Sequence, residues 1–176
     1  MSDRLVIGGA SGFWGEAPHA TAQLLSYPGL DVLAYDYLAE IGPGVPRREN
    51  RKFCQVTIDL KVPQGWSYSV GEFDYRGLAD LDRGVTATQT ATYYFDRNRE
   101  GSFSTTLQGA INKNYTMSDD IDFEDLVWSN CNQHRLLNIK SQIQLRSRNR
   151  RASGLMTVDT LDGKVRQIYG LKWRRC

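Results

Sequence analysis

No stretch of this 176-residue chain stays apolar for the length a membrane-spanning helix needs. A formal net charge of +2 is too small to imply nucleic acid as a partner. Histidine is limited to His19 and His134, in unrelated contexts. The three cysteines, Cys54, Cys131 and Cys176, are too widely spaced to make a zinc site with them, so neither a metal nor another cofactor is expected. No Ser/His/Asp or Cys/His set has a defined spacing and no catalytic residue is assigned, although paired acids can meet in a fold without a sequence motif. Met1 to Gly9 lacks the features of a secretory signal: its apolar run is about five residues and has no cleavage-type end. As written, the chain is expected to stay in the cytoplasm. Lysine is scarce beside arginine, while glycine, threonine and tyrosine are plentiful, a balance that leans towards an all-β surface.

The cleanest pattern runs from Arg51 to Val70. Cys54, Val56, Ile58, Leu60 and Val62 alternate with Gln55, Thr57, Asp59 and Lys61, the period-2 signature of a strand with one buried and one wetted face. After the Pro63-Gln64-Gly65 turn signal, Trp66, Tyr68 and Val70 alternate again, which predicts a β-hairpin on which the core is built. Further strands are expected over Phe73 to Leu81, Val85 to Phe95, Ser102 to Leu107, Leu137 to Arg146, Gly154 to Thr160 and Val165 to Trp173. The last two flank Leu161-Asp162-Gly163-Lys164, whose Asp-Gly pair predicts a closing hairpin. About seven or eight short strands with turns between them fit an antiparallel two-sheet sandwich.

Residues 4 to 40 have a different grammar. Leu5-Val6-Ile7 as a strand, Gly8 to Gly12 as a turn, a helix from near Pro18 and a second run over Asp31 to Leu38 predict a βαβ-like fragment. Its GGASG turn could cradle a phosphate on backbone N–H groups. It lacks both the GxGxxG spacing and the GK[ST] lysine, however, and reads better as a tight turn needing positive φ. Ile41 to Pro46 is a loop by composition and marks the expected boundary between this fragment, 1–40, and a β domain, 41–176.

Several surface features invite a ligand. Thr86, Thr88, Thr90 and Thr92 form a ladder that could be a flat binding face or an O-glycan site, and reads better as the wetted face of a strand. Asn114-Tyr115-Thr116 is an N-glycosylation acceptor pattern in what reads as a polar loop. Asp119, Asp120, Asp122, Glu124 and Asp125 lack the spacing and central glycine of a calcium loop, and read as a solvated acidic segment. Arg146, Arg148, Arg150 and Arg151 have no interleaved aromatic for base stacking, leaving an exposed turn able to touch an anionic polysaccharide or a membrane surface. Trp66, Tyr75 and Tyr94 are candidates for stacking on sugars if they line one face.

Two family resemblances overlie this reading. The opening RLVIGGASGFWGEAPHATAQLLSYPGLDVLAYDYLAE resembles the start of the acyclic terpene utilisation family, with Glu16 where that family tends to have Asp, and the likeness ends near Glu40. Ile41 to Cys176 resembles the secreted fungal and bacterial proteins grouped as domain of unknown function 4360. That likeness is carried by the Ile41 to Val45 loop, Glu49 to Gln55, Leu81 to Thr88, Tyr93-Tyr94-Phe95, Val127 to Cys131, Leu137-Asn138-Ile139, and Asp162 to Tyr169 with Trp173 to Cys176. It implies an extracellular, disulfide-bonded protein and no particular reaction. Members begin with a signal peptide and a cysteine-bearing strand upstream of the IGPG loop. The resemblance therefore implies that Cys54 has lost its usual partner, that Cys131 pairs with Cys176, and that residues 1–40 are foreign to the domain by gene fusion or misjoining. The expected function is a small non-catalytic extracellular glycoprotein that contacts carbohydrate or a cell-surface component; the alternative is a truncated terpene-catabolism enzyme fragment fused to a β domain.

Overall fold

The computed structural model describes residues 3–8, 12–16, 21–26, 37–96, 99–158 and 166–176, with side chains from Tyr37 onward except those of 119 and 166–168. Almost everything described is antiparallel strand. β1 (Asp3–Gly8), β2 (Gly12–Glu16) and β3 (Thr21–Ser26) precede a body of nine strands: β4 (Leu38–Ile41), β5 (Arg51–Lys61), β6 (Trp66–Leu81), β7 (Val85–Asp96), β8 (Arg99–Gln108), β9 (Ile111–Asp120), β10 (Leu137–Ser147), β11 (Gly154–Thr157) and β12 (Arg166–Arg175). Short 3-10 turns, Arg47–Asn50 and Phe123–Asp125, are the only helical elements among the described residues.

The strands form two sheets. The first runs β2-β1-β12-β6-β11-β4, with β9 on the other side of β6; the second runs β3-β5-β10-β7-β8. Inward side chains of the two meet in one core: Phe73, Tyr75, Tyr169 and Met156 from the first, Ile58, Tyr93, Ile139 and Ile143 from the second, all 1% exposed or less. The perfect alternation of burial along β7 reflects its alternating sequence, with alanines and aromatics inward and threonines outward.

The expected hairpin over Arg51 to Val70 is not one. β5 pairs with β10 and β3, whereas β6 pairs with β12, β9 and β11, so the Pro63–Gly65 turn carries the chain from one sheet to the other. Alternation reports which face is buried and not which neighbour supplies the hydrogen bonds, and both strands bury a face in the same core. β11 and β12 likewise do not pair with each other. Each runs antiparallel to β6, at Leu81–Ala79 and Tyr75–Trp66 respectively, so they follow one another along it. The Leu161 to Lys164 turn lies outside the described residues.

β6 is longer than expected because two buried runs are fused across an irregularity. The β12 register shifts between Gly170 and Leu171, leaving Gly71 of β6 unmatched, and the inward set of β6 moves from Tyr68 and Val70 to Phe73 and Tyr75.

The βαβ-like reading of the amino terminus is not supported. Where a helix was expected from near Pro18, Thr21–Ser26 is a strand along the edge of β5, and Gly12–Glu16 is a strand antiparallel to Asp3–Gly8. The sheet edges offered by β5 and β12 supply backbone partners that outweigh the local helix signal. Pro18, His19 and most of the second run, Asp31 to Leu38, lie outside the described residues. Its end does not: Tyr37 and Ala39 are buried in the core, and Leu38–Ile41 is one continuous strand across the expected boundary, paired with β11.

Candidate functional site

At the end of the sandwich where β5 stops and β6 starts, a pocket of about 240 Å³ opens between the β5–β6 turn and the loop that leads into β10. One wall is Leu60 to Gln64. The other is Ser129 to Arg135, and Trp66 and Tyr68 reach the pocket from the start of β6. The two walls are clipped together. Gly65 donates its N–H to Asn132 Oδ1 at 2.9 Å, Cys176 N–H donates to Gly65 O at 2.9 Å, and Cys131 is disulfide-bonded to Cys176 with a Cα–Cα distance of 5.9 Å. Ser129 is fixed from below, its Oγ accepting from Tyr68 N–H at 3.0 Å and its N–H donating to Tyr68 O at 2.8 Å.

The charges at the rim are also arranged. His134 Nε2 lies 2.5 Å from Asp59 Oδ1, and Lys61 donates to Asp59 Oδ2 at 2.6 Å. The Lys61 hydrogen bond first, and that of His134 second, hold the Asp59 carboxyl below the usual carboxylate range. Asp59 was expected on a wetted face with Lys61; the loop bearing His134 covers it, leaving it 8% exposed.

Tyr68 is the atypical member. Its side chain is 2% exposed, packed edge-on against Phe95 and tilted against Trp173, yet its hydroxyl has no hydrogen-bond partner among the described residues. Buried hydroxyls are nearly always satisfied, because desolvating one without a partner costs about 1–3 kcal/mol. Burial, with the nearby Asp59 charge adding to it, pushes the phenol above its ordinary pKa, so it stays protonated and able both to donate and to accept. Neither Tyr68, Asp59 nor Arg135 was singled out by sequence pattern. An inward tyrosine reads as ordinary core, and only the loop that arrives some sixty residues later makes it a pocket residue.

The three aromatic candidates go to three different places. Trp66 lines the pocket and carries the Arg175 guanidinium 5.4 Å from its ring centroid. Tyr94 sits on the outer face of the second sheet, where Gln55 donates to its hydroxyl at 3.2 Å. Tyr75 is not at the surface: it is fully buried, edge-on to Tyr169 and 3.4 Å from its hydroxyl. Its alternation with Phe73 put it on the inward face, so it contacts no external ligand.

The outer face of the second sheet is flat and hydroxyl-rich. Thr88 and Thr90 of β7 reach Thr106 and Ser104 of β8 at 3.2 and 3.3 Å, so the ladder spends hydrogen bonds on itself. Asn114 lies in strand β9 and not in a loop, with an exposed side chain opposite Leu78. Cys54, outside the disulfide, is buried in the core. No cluster of three potential metal ligands occurs among the described residues.

Residues 21–176 match the family model described as Domain of unknown function (DUF4360). The chain belongs to this family. The match begins upstream of Ile41 and takes in β3 and β4 as well as the body. A relative from Arthroderma benhamiae, described as an uncharacterized secreted protein, is 43% identical over 147 residues, which is 82% of this DUF4360 chain and 60% of the relative. The chain thus spans about three fifths of the length of that curated relative. Among solved structures, the family 11 carbohydrate-binding module from Clostridium thermocellum, in complex with a mixed-linked tetrasaccharide, aligns over 96% of both chains at 6% identity and a TM-score of 0.34. TmCBM61 in complex with β-1,4-galactotriose aligns over 85% of this chain and 95% of that one at 10% identity and a TM-score of 0.27. Likeness at that level says nothing of what the DUF4360 chain binds.

Proposed function

We propose that this protein is an extracellular, non-catalytic carbohydrate-binding β-sandwich, and that the Trp66 pocket takes a neutral sugar. The observation that carries this is a pocket that brings together an indole, Tyr68 and several amides, the Tyr68 hydroxyl being buried with no hydrogen-bond partner among the described residues. An indole suits the C–H face of a pyranose, while Gln64, Asn130, Asn132 and Gln133 can both donate to and accept from its hydroxyls. A volume of about 240 Å³ is below that of most drug-sized ligand pockets and fits roughly one sugar ring, such as the end of a chain. The name of the secreted relative supports an extracellular location.

The pocket lining contains no carboxylate, and Asp59 behind it is engaged by Lys61 and His134, so the pair of acids that glycoside hydrolysis requires is not assembled there. The proposed activity is therefore binding without turnover. A neutral glycan array with calorimetry on the hits tests the reading. Trp66→Ala is expected to abolish binding, and Tyr68→Phe to weaken it about tenfold while the fold is retained. Sugar binding that survives both substitutions, or product released from a bound oligosaccharide, would refute it.

A further inference from the structure

The opposite end of the second sheet gathers arginine from three separate stretches. Arg47 and Arg48 lie in the 3-10 turn that leads into β5, and Arg51 starts β5 opposite Gln144 of β10. Arg146 is one residue before the end of β10, and Arg148, Arg150 and Arg151 occupy the loop after it. Arg83 sits in the turn before β7, whose next residue, Gly84, accepts a hydrogen bond from Ser147 Oγ at 3.2 Å. β5 and β7 are the two neighbours of β10, so these groups share one end of three adjacent strands. All of them are exposed.

The charge there is largely uncompensated. Glu49 is held by Arg48 at 2.9 Å and Lys52 at 2.7 Å, and Asp82 accepts the Ser153 N–H at 2.7 Å. No ion pair involves Arg47, Arg51, Arg83, Arg148, Arg150 or Arg151 among the described residues. A chain with a net charge of only +2 brings eight of its 22 lysines and arginines to this end. The platform is also preorganised. Asn149 Oδ1 accepts from Arg151 N–H at 3.0 Å, Asn149 N–H donates to Ser147 Oγ at 3.1 Å, and Ala152 is buried beneath the loop. Ser153 is tied to Asp82 in both directions, its O accepting from Asp82 N–H at 3.0 Å.

We infer that this arginine-rich end binds an anionic polysaccharide whose charges are carboxylates. Planar guanidinium forks match carboxylates in bidentate geometry, and an array set on the ends of three strands suits charges repeated along a chain. The arginine stretches themselves carry no aromatic and no large apolar side chain; the exposed Phe53, two residues after Arg51, has Lys140 5.7 Å from its ring centroid, and the DNA and vesicle arms of the test read whether it recruits a base or a bilayer instead. The site lies the length of β5, roughly 30 Å, from the Trp66 pocket and stands or falls independently of it.

The test is binding of polygalacturonate to the whole chain by calorimetry at low salt, against its fully methyl-esterified form, phosphatidylserine vesicles and duplex DNA. Polygalacturonate is expected to bind, to be released as salt rises, and to bind better than every other probe. Two charge-removing variants taken from different stretches, Arg47→Gln with Arg48→Gln and Arg150→Gln with Arg151→Gln, are each expected to weaken it roughly tenfold with unchanged melting temperature. A Trp66→Ala chain is expected to bind it as before. Equal binding of the esterified polymer, tighter binding of vesicles or DNA, or indifference to both variants would overturn the inference.

Discussion

Asn132 holds the two walls of the pocket together: its Oδ1 accepts the Gly65 N–H at 2.9 Å from a backbone in the left-handed region, φ 54°. Asparagine is among the few side-chain-bearing residues that tolerate this conformation. The next covalent link is one residue away, at Cys131. The disulfide therefore does more than tether a terminus, because it keeps the wall that Asn132 and His134 present to the pocket in register with the β5–β6 turn.

Removing that bridge is expected to cost stability and to loosen the pocket. The linked residues are 45 apart in sequence, and closing such a loop stabilises a fold by about 2–4 kcal/mol. Cys131→Ser with Cys176→Ser, followed by urea denaturation, measures the difference. Peptide mapping of the oxidised protein gives the pairing directly: a crosslink from Cys54 as the main species would rule out the assignment, and so would a double variant as stable as the parent.

Asp59 makes the same region sensitive to acid. Its carboxyl is held below the usual range by Lys61 and His134, so the unfolded chain binds the proton more readily than the folded one. The contribution to stability is present in full above about pH 5 and is lost as pH falls below about 4 towards the lowered folded value. Asp59→Asn is expected to lower the melting temperature at pH 7, and the gap to the parent is expected to narrow as pH falls below about 4. A gap of constant size across that range would mean that the charge is not what Asp59 contributes.

How much of this was legible in the sequence depends on whether the signal was local. Inward and outward sets along β5, β7 and β10 follow from alternation alone, because burial of a face has period 2 whatever the partner strand. Pairing did not follow. Pro63–Gly65 looks like a hairpin turn, yet it joins strands of different sheets, and Asn114 looks like loop because its neighbours are polar, yet β6 supplies it with a partner strand. The pocket was the least legible part. Trp66 carries an aromatic signature, but Tyr68, Asp59 and His134 acquire their roles only when the Leu126 to Leu136 segment folds over the end of β6. The arginine-rich end was half visible: the run from Arg146 to Arg151 is contiguous, while Arg47, Arg51 and Arg83 join it through sheet topology.

Gly77 tests the packing between β6 and β11. A Cβ there would overlap the Thr157 carbonyl oxygen, which already accepts a hydrogen bond from Tyr115 at 2.5 Å, and would come within 2.9 Å of the Tyr115 hydroxyl itself. Backbone cannot swing aside as a surface side chain can, so Gly77→Ala is expected to destabilise the fold by about 1–3 kcal/mol. Gly44→Ala is the useful contrast. It has open space around it but a φ of 82°, so its cost is conformational and confined to a loop. Thermal midpoints of the two variants decide the matter: a Gly77→Ala protein that melts with the parent would show that the sheet yields there.

Asn114 is placed for modification wherever the chain meets the secretory lumen. Its side chain and that of Thr116 are both exposed on β9, while Tyr115 between them is buried, so strand alternation presents the acceptor and its hydroxyl on the same outward face. A glycan at this position would stand off the outer face of the first sheet. The body fused to a secretion signal and expressed in a fungal host is expected to gain a glycosidase-sensitive mass that Asn114→Gln removes. Mass spectrometry of the two forms reads the result. A secreted body with unmodified Asn114 would count against it, because the exposed acceptor is then not recognised.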